Sequence, residues 1–183
     1  MTATLVLGGV RSGKSRYAEQ LLREHAEVLV VAPGYPADEG DPQWAERVAA
    51  HRARRPESWT TLESLDLAGA IREAASPVLI DCLGLWLTRF IDGIGGWENP
   101  REASIAVAWA LRDLSDAWKN APTDVVAVTN EVGLGVVPAA PSGALFRDEL
   151  GRINATLSSL SDHVALVVAG RVLDLSAAPV VGD

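Results

Sequence analysis

Short apolar runs recur along the chain, separated by segments in which apolar and polar residues mix. Most of these runs are near-continuous in Val, Leu, Ile and Ala. Runs of this kind are typical of strands buried on both faces of a parallel sheet. We therefore predict strands at 4–8 (TLVLG), 27–34 (EVLVVAPG), 76–84 (SPVLIDCLG), 124–133 (DVVAVTNEVG) and 164–175 (VALVVAGRVLDL), with a short strand inside 57–64 (ESWTTLES).

Between these runs the apolar positions follow a helical period, and Asp41 followed by Pro42 is a typical helix start. Strands that alternate with helices indicate βαβ units and a mainly parallel sheet covered on both faces. No internal repeat or linker divides the chain, so we predict a single α/β domain over 1–183. The predicted helices are 14–24, 41–55, 65–76, 85–94, 101–120 and 144–163.

Composition narrows the class of protein. The net charge of -8 argues against a general nucleic-acid binder, because such proteins need a basic surface to neutralise phosphates. With Cys82 as the one cysteine, no disulfide can form within the chain. No apolar run is long enough for a membrane span and the N-terminus does not have the layout of a signal peptide, so we expect a cytoplasmic enzyme.

The first predicted strand leads directly into GGVRSGKS (8–15), which fits the phosphate-loop pattern G-x-x-x-x-G-K-[ST]. The glycines let the backbone turn tightly and approach a ligand closely. Successive N–H groups can then surround an anion at the positive end of the following helix. Lys14 would reach the β and γ phosphates and Ser15 would contribute its hydroxyl to Mg²⁺, so the motif predicts a nucleotide site.

A phosphate loop needs a partner carboxylate for Mg²⁺, usually at the end of another apolar strand. Asp81 has that position, although an aspartate there could instead cap the next helix. Asn130 and Glu131 end a further strand, where the alternatives are a ligand site and a simple turn. The chain lacks the N-K-x-D signature of switch GTPases, which favours a nucleotide-using transferase.

A second chemical feature is His51, which lies among four arginines in an otherwise acidic chain. A neutral imidazole is a competent nucleophile near pH 7, and arginines would gather a polyphosphate around it. The alternative is a solvated basic helix face with no role in chemistry. The residues alone do not decide between the two.

Four segments occur in a specific order: GGVRSGKSRYAE, RVAAHRARRP followed by WTTLE, VTNEVGLGVVP and FRDELGRINATLS. Together they resemble the bifunctional adenosylcobinamide kinase / adenosylcobinamide-phosphate guanylyltransferase family of cobalamin biosynthesis, over about Leu5 to Gly170. The resemblance implies a RecA-like P-loop fold and a homo-oligomer. It also implies phosphorylation of adenosylcobinamide by ATP or GTP, and then transfer of GMP from GTP to that phosphate through a guanylyl-histidine.

The matching site residues follow from this resemblance, with His51 as the guanylyl carrier and Lys14 as the second catalytic residue. Mg²⁺ would be held by Ser15 and Asp81, although the relatives carry Glu at the strand end. The segment Ala-Pro-Gly replaces Ala-Thr-Ser, so a hydroxyl contact is missing there. The implied nucleotide contacts are Gly8, Gly9, Val10, Arg11, Ser12, Gly13, Lys14, Ser15, Ala32, Pro33, Gly34, Arg52, Ala53, Arg54, Arg55, Glu63 and Asp81.

Two other functions are compatible with a phosphate loop. A monofunctional small-molecule kinase needs no histidine nucleophile and leaves the cluster around His51 unexplained. A regulatory or assembly protein would bind nucleotide without transferring any group. Protein labelling by α-labelled GTP distinguishes both alternatives from a guanylyltransferase.

Overall fold

The computed structural model describes residues 1–36 and 42–181. Seven strands form one sheet in the order β3-β2-β4-β5-β1-β6-β7. All neighbouring strands are parallel except β6 and β7. The strands are β1 (Ala3–Gly8), β2 (Leu29–Val31), β3 (Thr60–Leu62), β4 (Val78–Asp81), β5 (Val125–Asn130), β6 (His163–Val168) and β7 (Arg171–Asp174). The helices are α1 (Lys14–Leu21), α2 (Pro42–Arg54), α3 (Leu67–Arg72), α4 (Leu83–Gly93), α5 (Pro100–Lys119) and α6 (Pro141–Ser159).

Two apolar clusters, one on each face of the sheet, show why the central strands are apolar throughout. Leu5 of β1 packs in a large cluster with α3, α4, α5 and α6, whereas Val6 packs in a smaller cluster that includes Ala18 of α1. Successive side chains of a strand point to opposite faces. The arrangement is therefore three-layered, which confirms the predicted α/β fold with a mainly parallel sheet.

The carboxyl ends of four adjacent strands meet at one edge of the sheet. The strands β2, β4, β5 and β1 lie side by side and end at Val31, Asp81, Asn130 and Gly8. Open α/β sheets bind their ligands at this edge. The phosphate loop follows β1 there, so this edge carries the candidate site.

Several predicted boundaries differ from the structure. The helix predicted at 144–163 is observed as Pro141–Ser159, and His163 instead begins β6. The segment 164–175 is not one strand, because Ala169 and Gly170 take positive φ values of 51° and 74° and reverse the chain. The resulting β6 and β7 form an antiparallel pair. Helix α1 also ends at Leu21 rather than at residue 24. The predicted helix start at 41 lies outside the described residues, and α2 is described from Pro42.

A helix that crosses a lipid bilayer is both long and apolar. Crossing takes about 20 consecutive apolar residues. Within residues 1–36 and 42–181, none of the helices combines the length and the apolar character that crossing a membrane requires.

Candidate active site

The phosphate loop has the backbone conformation that its glycines predict. A Cβ added to Gly8 would lie 2.5 Å from the Ser12 hydroxyl and 2.7 Å from the carbonyl oxygen of Val167, so no side chain fits there. Gly13 has a φ of +100°, which glycine adopts without strain. The loop therefore reaches the N-terminus of α1 with its backbone free to face an anion.

Lys14 is the first residue of α1, and its ammonium group donates a hydrogen bond to the carbonyl oxygen of Gly9 at 3.1 Å. The side chain folds back over the loop, where phosphates would lie. Burial lowers the pKa of Lys14, and the positive charge of Arg47 lowers it further. The negative charge of Asp81 raises it but does not outweigh burial. The lysine is thus a desolvated cation within the cradle.

Asp81 connects the phosphate loop to the histidine. Its Oδ1 accepts from the Ser15 hydroxyl at 3.2 Å, while Oδ2 lies 3.1 Å from Nδ1 of His51 and accepts from Arg55 at 3.2 Å. Burial would raise the pKa of Asp81, but the hydrogen bond with His51 and the charge of Arg55 outweigh burial and lower it. The carboxylate is therefore an anion with a separate partner on each oxygen.

A second carboxylate, that of Glu19, organises the arginines. Glu19 lies on α1, one turn after Ser15, and is almost buried. Both of its oxygens accept from Arg54 at 3.1 Å, and one also accepts from Arg55 at 3.3 Å. Glu19 thereby ties the C-terminal end of α2, which carries His51, to the helix of the phosphate loop.

Of these groups, Lys14, His51, Arg55 and Asp81 line an open cavity at the carboxyl edge of the sheet. Ligands of open α/β folds bind at this edge. One face of α2 supplies residues three or four positions apart, as a helix requires. The lining is Lys14, Ser15, Ala32, Gly34, Tyr35, Trp44, Arg47, Val48, His51, Arg52, Arg55, Thr61, Glu63, Asp81, Cys82, Leu85 and Asn130.

The outer end of the cavity is aromatic and braced by Arg89. That guanidinium donates to the carbonyl oxygens of Pro33 and Gly34 at 3.2 and 2.7 Å and lies 5.4 Å from the centre of the Tyr35 ring. The indole N–H of Trp44 donates to the carbonyl oxygen of Tyr35 at 2.9 Å. These contacts hold the segment after β2 as a wall that can face a nucleotide base.

The chain is similar to known proteins over most of its length. The family model of cobinamide kinase / cobinamide phosphate guanyltransferase, CobU, matches residues 4–175. The chain belongs to this family. The matched segment contains the phosphate loop, Asp81 and the whole of α2, which are the parts of the chain that form the cavity.

Curated relatives cover nearly the whole chain. The bifunctional adenosylcobalamin biosynthesis protein CobP of Pseudomonas aeruginosa is 38% identical over 181 residues, which are 96% of this chain and 98% of the relative. The proteins of the same description named CobU in Escherichia coli and Salmonella typhimurium are each 37% identical over 175 residues, which are 91% of this chain and 95% of each relative.

A solved structure of an ATPase from the type III secretion system of pathogenic bacteria is similar in fold. Its TM-score is 0.55 at 13% identity, over 90% of this chain and 50% of that one. The likeness concerns the fold alone and confirms the predicted P-loop architecture.

Half of the predicted site residues line this cavity. They are Lys14, Ser15, Ala32, Gly34, His51, Arg52, Arg55, Glu63 and Asp81. The lining does not include Gly8, Gly9, Val10, Arg11, Ser12, Gly13, Pro33, Ala53 or Arg54, and Arg54 pairs with Glu19 instead. Whether these residues contact nucleotide stays a prediction.

Asn130, which ends β5, lines the cavity, and so do Trp44 of α2 and the buried Cys82. Burial raises the pKa of the Cys82 thiol to about 11, so the group is a neutral thiol near pH 7. Trp86 lies in the core.

Several lining residues were not predicted from the sequence. Arg47 and Val48 lie one turn before His51 on the same face of α2, so helical spacing from the histidine could have found them. Glu19, which lies outside this lining and pairs with Arg54 and Arg55, was not predicted either, and its partners are too distant in sequence for a local pattern to show them. Thr61 and Leu85 carry no comparable signal, because their positions depend on how β3 and α4 pack.

Proposed function

We propose that this chain phosphorylates the aminopropanol hydroxyl of adenosylcobinamide, using ATP or GTP, and then transfers GMP from GTP to the resulting phosphate. The observation that supports both steps is the position of Asp81. One of its oxygens meets Ser15 of the phosphate loop, and the other meets His51. A nucleotide in the loop would thus have a histidine nucleophile beside it in the same cavity.

The residues suit Mg²⁺ at one place in particular. The Ser15 hydroxyl and Oδ1 of Asp81 are 3.2 Å apart, and both are the oxygen ligands that this ion prefers. Ligand atoms of Glu19, His51 and Asp81 also lie within 4.8 Å of one another, but Arg54 and Arg55 already pair with the two carboxylates. When bound between Ser15 and Asp81, Mg²⁺ would neutralise phosphate charge during transfer.

In the kinase step, the loop amides and Lys14 hold the β and γ phosphates. The substrate hydroxyl oxygen attacks the γ-phosphorus and releases its proton to water, the bond from that phosphorus to the bridging oxygen breaks, and the nucleoside diphosphate leaves. Lys14 offsets the charge that develops on the phosphoryl oxygens.

In the guanylyl step, His51 attacks the α-phosphorus of GTP and pyrophosphate leaves. A phosphate oxygen of adenosylcobinamide phosphate then attacks the guanylyl phosphorus, and the phosphorus–nitrogen bond breaks to give adenosyl-GDP-cobinamide. Forming a covalent intermediate avoids holding two large anions together. Arg52 and Arg55 line the cavity beside His51 and would offset the charge of the reacting phosphates.

Guanine recognition is assigned to the outer end of the cavity. Glu63 follows β3 and accepts from Arg52 at 2.8 Å, and both side chains line the cavity. A carboxylate there can accept from the N–H groups on one edge of guanine, which adenine does not present in the same way. Glu63 therefore favours GTP over ATP as the guanylyl donor.

Labelling with GTP that carries its label on the α-phosphate tests the function directly. The denatured protein should retain acid-labile, alkali-stable label, and added adenosylcobinamide phosphate should remove it before denaturation. GTP labelled on the γ-phosphate is the control and should leave no such label. A monofunctional kinase would phosphorylate adenosylcobinamide without retaining label, and a regulatory protein would do neither.

The assembly and the location of the enzyme are part of the proposal. The family resemblance implies a homo-oligomer, and a soluble biosynthetic enzyme with a phosphate-loop site suits the cytoplasm. Light scattering of the purified protein would give the mass of the particle, and fractionation of cells would give its location.

A further inference from the structure

The contact between His51 and Asp81 decides which ring nitrogen is free to react. Resting on the proposed guanylyl transfer, we propose that Nε2 of His51 carries GMP, and that Asp81 is a positioning residue that keeps the proton on Nδ1. The same carboxylate would therefore serve the phosphate loop through Oδ1 and the nucleophile through Oδ2. The two half-reactions would depend on Asp81 for different reasons.

The hydrogen-bond partners of Asp81 support this assignment. Oδ2 accepts from the guanidinium of Arg55 at 3.2 Å and lies 3.1 Å from Nδ1 of His51. Oδ1 accepts from Ser15. A carboxylate paired with a guanidinium is ionised, and an ionised carboxylate has only acceptor atoms. Nδ1 must therefore be the donor, which leaves the lone pair of a neutral imidazole on Nε2.

The surroundings of Nε2 suit a nucleophile. Among the residues that the structure describes, Nε2 has no hydrogen-bond partner, whereas Nδ1 is engaged. The His51 side chain is 23% exposed and lines the cavity together with Lys14 and Arg47. Nε2 is thus the ring nitrogen that a bound α-phosphorus can reach without breaking the contact with Asp81.

The chemistry balances without moving the proton on Nδ1. The Nε2 lone pair forms a bond to the α-phosphorus of GTP, and the bond from that phosphorus to the bridging oxygen breaks, so pyrophosphate leaves with the electron pair. The ring then carries a positive charge, which the adjacent Asp81 carboxylate stabilises. When the acceptor phosphate oxygen attacks, the phosphorus–nitrogen bond breaks and Nε2 regains its lone pair.

NMR of the wild-type protein, with neither nucleotide nor metal added, tests which ring nitrogen of His51 carries the proton. The full chain is labelled with ¹⁵N in its histidine rings and studied by NMR at about pH 8.5, well above the ordinary imidazole pKa of about 6.5. His51→Gln identifies the His51 signals among those of His25 and His163. We expect the proton on Nδ1; a proton on Nε2 in the wild-type protein would overturn the proposal.

Variants of Asp81 separate positioning from simple folding. Asp81→Asn should move the His51 proton to Nε2 or give a mixture of tautomers, and slow protein labelling by GTP about 100-fold or more. Asp81→Glu keeps the carboxylate and should restore the Nδ1–H tautomer and much of the labelling. An unchanged tautomer in folded Asp81→Asn would refute the positioning role; if that variant does not fold, the wild-type spectrum decides.

NMR of the ¹⁵N-labelled protein after reaction with GTP shows which ring nitrogen of His51 carries GMP. Coupling between the guanylyl ³¹P and the ring ¹⁵N should appear at Nε2. Coupling at Nδ1 would refute this inference while leaving guanylyl transfer intact. A protein that forms no guanylyl-histidine at all would instead refute the proposed function and the carrier role together.

Discussion

The phosphate loop and helix α2 face each other across the cavity but are positioned by different forces. The loop follows β1, whose residues Ala3–Gly8 are all buried at the centre of the sheet. Helix α2 has no buried residue, and its side chains reach the rest of the protein through contacts such as those of His51 and Arg54. The apolar core thus fixes the phosphate cradle, whereas charged contacts fix the nucleophile.

This difference predicts how each region responds to solution conditions. Ion pairs between exposed groups contribute about 0–1 kcal/mol each and weaken as salt screens them, whereas apolar burial is insensitive to moderate salt. Glu19 and Arg55 are nearly buried, so their pair should be screened less than the exposed pair of Arg52 with Glu63. Added salt should therefore weaken the pair of Arg52 with Glu63 before it weakens the contacts that hold His51 beside Asp81.

The largest effect should come from the phosphate cradle. Lys14→Ala should lower the rates of both half-reactions about 10³-fold or more, because the same ammonium group binds phosphate in both. Separate kinase and guanylyl-transfer assays, with circular dichroism to check the fold, measure this. Lys119→Ala, at the exposed end of α5, is the matched control and should be active. Normal GTP binding and kinase activity in Lys14→Ala would contradict the assignment of the loop.

The second-largest effect should distinguish helix α2 from the phosphate loop. His51→Ala should abolish protein labelling by α-labelled GTP and guanylyl transfer, because the covalent carrier is gone. Phosphorylation of adenosylcobinamide should survive in part, since the loop and Lys14 are intact. The two half-reactions are assayed separately, and synthetic adenosylcobinamide phosphate is supplied as the substrate for guanylyl transfer. His163→Ala, at an exposed position, is the control. Formation of adenosyl-GDP-cobinamide at the wild-type rate would rule out His51 as the covalent carrier.

A smaller effect should follow from loosening the end of α2. Glu19→Ala leaves Arg54 and Arg55 without their shared carboxylate, so we expect guanylyl transfer to fall about 10-fold to 100-fold and the kinase rate to fall less. The free energy of unfolding should decrease by about 1–3 kcal/mol. Glu24→Ala, which removes an exposed pair with Arg23, is the control. Equal losses in the two half-reactions would argue against a selective role of Glu19 in placing His51.

The smallest effect on stability should come from Glu63→Gln. Its pair with Arg52 is largely exposed, so the free energy of unfolding should change by about 0.5 kcal/mol or less. The ratio of kcat/KM for GTP to that for ATP should nevertheless fall, because an amide is a poorer acceptor for the guanine N–H groups. Asp113→Ala, which breaks the exposed pair with Arg72, is the stability control. An unchanged nucleotide preference would remove Glu63 from base recognition.

Features that depend on residues close together in the sequence could be predicted, whereas contacts between residues far apart in the sequence could not. The strand before the phosphate loop and the turn at Gly13 depend on neighbouring residues, and both were predicted from local pattern. The break between β6 and β7 was missed, because AGR interrupts an apolar run without a strong turn signature and Ala169 takes a positive φ. The role of Glu19 was missed because its partners lie 35 and 36 positions further along the chain.

By itself, the sequence determined that this protein is an α/β domain with a phosphate loop, because hydrophobic periodicity and glycine conformation act over a few residues. It also pointed to Asp81 and His51 as separate candidates. Only the tertiary structure decided that they touch: Ser15 and Asp81 are 66 positions apart, His51 and Asp81 are 30 apart, and the order of β4, β5 and β1 in the sheet places these strand ends together. Contacts of that range depend on how whole elements pack, which no local pattern records.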